Sequence, residues 1–162
     1  MSSPLSSGVL STPLGTLKIL LQSFSDQLSN LNPNKTTIFN PPNALALLHD
    51  STSVLRAQGT KLSLLLLNKP FTPSAIASIL TSISAESLPG LMTVYEICSP
   101  DVYGKVTQNE VRNQLRDLVA AIRQLADDIT YMDTPEGLEK IRAIRGQERR
   151  DLAGDRTGLE CM

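Results

Sequence analysis

The stretch "KLSLLLLNKPFTPS" at 61–74 limits the choice of fold more than any other. Leu62 to Leu67 are almost pure leucine, and Asn68-Lys69-Pro70 then stops the run. Five leucines in six residues alone suit a buried strand as well as a helix. The residues upstream decide between them. Leu48, Leu55 and Leu62 recur every seven, and Ser51, Gln58 and Leu65 hold the complementary heptad position. The run is therefore read as the end of a long helix from about Ala44 to Leu67, apolar nearly all round and buried on several sides. Asn40 and Asn43 are both placed to cap it.

The restart is equally legible. Thr72 suits an N-cap, Pro73 suits the first helical position, and Phe71 can staple to Ile76. So short a connection makes antiparallel neighbours. Ahead of it, Leu14, Leu17, Leu20, Leu21, Phe24, Leu28 and Leu31 mark an amphipathic first helix, which "NPNKTTIFNPPN" breaks. Beyond it, Ile76, Ile79, Leu80 and Ile83 begin a third helix. "SLPG" at 87–90 should kink or briefly break it, and it resumes to about Cys98. The last helix opens with a T-x-x-E capping box, Thr107 and Glu110. Val111, Leu115, Leu118, Ile122, Leu125 and Ile129 form its apolar seam. Leu118 and Ile122 are expected inside, and Arg116 and Arg123 largely outside.

The fold class that follows is all-α, an antiparallel bundle of four main helices with a weak fifth. Aromatic residues at 4% and no tryptophan leave aliphatic side chains to build such a core. Three segments are expected: a mobile N-terminus over 1–12, the bundle over 13–132, and a charged, weakly structured tail over 133–162. In that tail Leu138, Ile141 and Ile144 are a thin apolar stripe, so at most a loosely docked helix is expected over 136–145. Trypsin is expected to cut after Arg145, Arg149 and Arg150. Asp127, Asp128 and Asp133 crowd the negative end of the last helix.

Composition excludes several functions. A net charge of −1 over 162 residues gives no whole-chain field for nucleic acid or anionic membrane. No stretch nears ~18 uninterrupted apolar residues, so no membrane span is expected. The start lacks the basic region of a signal peptide. Cys98 and Cys161 are too few for a disulfide framework and are read as reduced thiols of an intracellular protein. No set of residues has the spacing of a metal site, and no phosphate loop is present. Glu86 and Glu96 are a weak acid/base pair, ten residues apart across the expected break. No catalytic, metal or cofactor-binding residue is therefore assigned, no small-molecule substrate is evident, and the chain is not expected to be an enzyme. The one histidine, His49, raises the alternative of a histidine phosphotransfer bundle, whose "HxLKG" neighbourhood "HDSTS" echoes without its leucine, lysine and glycine. A plain surface histidine requires none of these.

Three stretches resemble one family: "LALLHDSTSVLRAQGTKLSLLLLNKPFTPSAI", "LPGLMTVYEICSPDVYGK" and "VRNQLRDLVAAIRQLADDI". They are similar to the N-terminal helical half of the cyclin-D-interacting proteins (GCIP, or HHM), in their fungal branch. The resemblance implies a non-catalytic, all-helical adaptor of nucleus and cytoplasm. It also implies cyclin-like or helix-loop-helix proteins as partners, linked to cell-cycle or transcriptional control. No cofactor and no family catalytic residue come with it, and the partner-binding residues are unknown. Family chains continue into a second helical half, so a truncated chain is the expectation here.

Overall fold

The computed structural model describes residues 8–30, 42–68, 72–134, 136, 137, 139, 140, 143 and 147. Among them the chain is all-α, with no strand. The helices are α1 (Ser11–Ser29), α2 (Ala44–Leu67), α3 (Pro73–Ser82), α4 (Leu88–Ile97), α5 (Pro100–Tyr103) and α6 (Lys105–Met132). One compact unit reaches to Ala126, and a second begins at Asp127.

The centre of the first unit is a continuous helical rod, Pro73–Ile97. Its middle, Ile83–Ser87, is a π-helical turn that joins α3 directly to α4. The expected break at "SLPG" is therefore absent, and the reason is local. Pro89 has no N–H and would crowd the carbonyl four residues back. A π turn adds one residue per loop and moves the bonding to i−5. Leu88 N–H accordingly reaches back to Ile83 O. Because the rod is unbroken, it is long enough to cross a membrane, and an 18-residue window within it, with a mean hydropathy of 1.3, is apolar enough. In the fold the rod is the element on which α1 and α2 pack, and Glu86 and Glu96 sit on the exposed side.

The directions of the helices follow from single bonds. Gln58 of α2 meets Ser87, and Ser51 lies against Gly90, so α2 runs antiparallel to the rod. The Tyr95 hydroxyl donates to Asn30 O at 3.0 Å, which brings the C-terminal ends of α1 and α4 together. The Tyr103 hydroxyl accepts from Ala44 N at 3.0 Å and ties α5 to the start of α2. Asn43 caps that start, its Oδ1 accepting from Leu45 N and Ala46 N. Asn40 and the Phe71 staple lie outside the described residues.

The core is aliphatic. Leu14, Leu17, Leu21, Phe24 and Leu28 are buried along α1, as the spacing predicts. Leu10 is buried just ahead of Ser11. Leu20 is only half-buried, and Leu31 lies outside the described residues.

Two sequence expectations need correction at α6. This helix starts at Lys105, which places Thr107 and Glu110 inside its first turns rather than at its cap. The start is built instead by "SPDVYG": Ser99 Oγ accepts from Asp101 N, Pro100 opens α5, and Gly104, at φ 83, turns the chain into α6. Glu110 accepts from Gln114 Nε2 along the helix. The seam is also rotated from the expected one. Val111, Leu115, Val119, Ile122, Ala126 and Ile129 are buried, whereas Leu118 is half-buried. A straight helix drifts about 20° per heptad against a strict seven-residue repeat. Val119 and Ala126 thus take the inner positions given by strict alternation to Leu118 and Leu125. Arg116 is exposed as expected, and Arg123 is half-buried.

In the second unit, Asp133 N–H closes α6 on Ile129 O, and Thr134 Oγ1 donates to Tyr131 O. Residues 136, 137, 139, 140, 143 and 147 are helical. Leu138, Ile141, Ile144 and the arginines at 145, 149 and 150 lie outside the described residues. Burial raises the Asp133 carboxyl above its usual 3.8, in a place where the helix dipole also disfavours negative charge. The protonated form is therefore the one that the fold prefers. Its contribution is complete below the unfolded value and is lost as pH rises through the folded one. Asp133→Asn is expected to raise the melting temperature at pH 7, and the gain should vanish as pH is lowered towards 3.8. A gain that persists at low pH would mean that charge is not its cause.

Candidate protein-binding surface

The side chains of α2 are distributed contrary to the simple reading of its leucines. Its buried residues are Ala44, Ser51, Gln58 and Leu62. Leu64 is 55% exposed and Leu67 is 71% exposed. Leu48, Leu55, Leu65 and Leu66 are half-buried. The leucine run is thus not enclosed on all sides. One edge touches the bundle, and the last turn presents apolar surface outward.

The inward strip is polar where it meets a polar spot on an otherwise aliphatic rod. The π turn aims Ser87 at α2, where its hydroxyl donates to Gln58 Oε1 at 2.6 Å, and both groups are buried. Three residues on, Gly90 lets the two backbones approach. A Cβ there would lie 2.6 Å from Ser51 Oγ. Ser84, also buried, donates to Leu80 O within its own helix. The seam therefore combines close small-residue packing with one satisfied polar pair, and helix association of that kind leaves larger apolar side chains for elsewhere. Sequence reasoning placed Ser51 and Gln58 at one heptad position but had no signal for Ser87. The π turn that points it inward follows from Pro89 only once the helix is known to continue.

The other singled-out residues do not converge. His49 is exposed, its Nδ1 lying 3.4 Å from Asp50 Oδ1. A phosphoryl group on that imidazole would sit beside a carboxylate, which repels it. Glu86 and Glu96 are exposed, and ten residues of helical rise hold their backbones roughly 15 Å apart. Cys98 is buried, and desolvation pushes its thiol above the usual range, so the reactive thiolate is disfavoured. Cys161 lies outside the described residues. Among the described residues no group of histidine, cysteine and carboxylate side chains could hold a metal ion.

What this arrangement can do chemically is bind apolar surface. Leu64 and Leu67 stand on a rigid helix, next to the connection between α2 and α3. No family model, curated protein or solved structure matches this chain.

Proposed function

We propose that the chain is a non-catalytic protein-binding adaptor and that the last turn of α2 is its contact surface. The observation that carries this reading is the outward exposure of Leu64 and Leu67 on a helix whose inner strip holds Ser51 and Gln58. Burying a leucine side chain fully returns about 1.5–3 kcal/mol, so two of them held in place by the bundle supply a useful anchor for a partner. The resemblance to cyclin-D-interacting proteins gives the partner class: cyclin-like or helix-loop-helix proteins, met in nucleus and cytoplasm.

The test compares the wild-type chain with the double variant Leu64→Glu/Leu67→Glu against a D-type cyclin and a helix-loop-helix dimer, by titration calorimetry. The variant should keep its melting temperature, because both side chains are exposed, and should lose at least about tenfold in affinity. Equal binding by both chains would overturn the surface. No binding by the wild type to either protein would overturn the partner class. Incubation with a phosphorylated receiver domain is the counter-experiment, and acid-labile label on His49 would replace this reading with phosphotransfer.

A further inference from the structure

The charges of α6 are sorted by side. Viewed down the helix, Lys105, Arg112, Arg116 and Arg123 fall within about 40° of one another. Glu110 and Asp117 lie well over 90° away on the opposite flank. Asp127, one turn after Arg123, closes the strip. Three of these four cations are arginines, and none has a carboxylate partner among the described residues. Arg112 Nη2 donates to the neutral Asn109 Oδ1, and Arg112 Nε is buried without a hydrogen-bond partner. Arg123 Nη2 donates across to the neutral Gln22 Oε1 of α1 at 2.9 Å. Asp26, the one acidic residue of α1, is engaged by the same amide, which donates to it from Nε2 at 2.9 Å.

Spacing at i and i+4 would have allowed ion pairs along α6 at no cost in sequence. Arg112 and Arg116 instead stand at i and i+4 to each other, Asp127 is the one acid so placed, four residues after Arg123, and Arg112 Nε is left without an acceptor. Ile19, one turn before Gln22 on α1, is 72% exposed. We propose that the Arg112–Arg116–Arg123 strip, bordered by Gln22 and Ile19 of α1, docks an acidic amphipathic helix of a partner protein. Its carboxylates take the arginines bidentately, and an apolar side chain covers Ile19. The inference rests on the protein-binding reading for the nature of the occupant, but it uses a surface separate from Leu64 and Leu67.

The probe is a synthetic 18-residue helical peptide with glutamates at i, i+4 and i+11 and leucines on the adjoining strip, compared with the same peptide carrying glutamine for glutamate. The glutamate peptide should bind and weaken by about tenfold between low and moderately high salt. Arg116→Gln, at an exposed side chain with no partner among the described residues, should weaken it several-fold with unchanged melting temperature, and Arg112→Glu/Arg116→Glu should abolish it. The Leu64→Glu/Leu67→Glu chain should bind the peptide normally, so failure of the leucine surface and failure of this strip are told apart. Equal binding of the two peptides, or equal binding by the arginine variants, overturns the proposal. So does binding of phosphatidylserine-containing vesicles or duplex DNA in preference to the peptide.

Discussion

Leu115→Ala lowers the free energy of unfolding by about 2–5 kcal/mol, whereas Leu118→Ala costs only about 1 kcal/mol. Both residues are leucines on α6, three positions apart, and strict heptad alternation would bury them alike. Leu115 is fully enclosed at 1% exposure, so truncation leaves a cavity among neighbours that cannot all follow. Leu118 is half-buried, so water fills much of the space that its side chain leaves. Denaturant titration with a common slope for both variants reads the difference directly. Equal losses would restore the alternating seam and remove Val119 from the core.

That contrast also marks how far the sequence could be read. The existence of α1, α2 and α6 followed from leucine spacing, because one buried face at a period near 3.6 is what a helix in a bundle must carry. Pro73 as the first residue of α3 was legible from local chemistry, whereas Asn40 and Asn43 qualified equally as the cap of α2 and the structure selects Asn43. The rotation of α6 was not. Several of its apolar positions are spaced so that two adjacent strips both qualify, and only packing chooses between them. Pro89 signalled an irregularity in the third helix but not its form. Proline forbids one hydrogen bond, but the π turn supplies another route for the chain, and tertiary packing selects it. The leucines of α2 misled most. Hydrophobicity says that a residue gains by burial, not that a surface is there to bury it. The candidate contact surface is the place where that expectation fails.

The second large effect is expected at the polar seam. Gln58→Leu should destabilise the protein by about 1–3 kcal/mol, because the buried Ser87 hydroxyl loses its acceptor. Ser87→Ala should cost a similar amount by stranding the Gln58 amide. The two losses should not add. Removing both polar groups leaves an apolar contact with nothing unpaired, so the double variant should be more stable than the sum predicts, with a coupling of roughly 1–2 kcal/mol. A double-mutant cycle by thermal or denaturant unfolding measures it. Strict additivity would mean that the 2.6 Å contact contributes no specific energy, and that the register of α2 on the rod is set by Gly90 and the surrounding aliphatic side chains alone.

The side of α2 that faces the bundle can be read directly. Leucine methyl groups can be labelled selectively, and a soluble paramagnetic probe then broadens those that water reaches. The resonances of Leu64 and Leu67 should broaden strongly, while those of Leu62, Leu80 and Leu91, each almost fully enclosed, should stay sharp. If Leu64 and Leu67 are as protected as Leu62, α2 packs through its leucines, the polar seam is not inside, and the proposed contact surface does not exist.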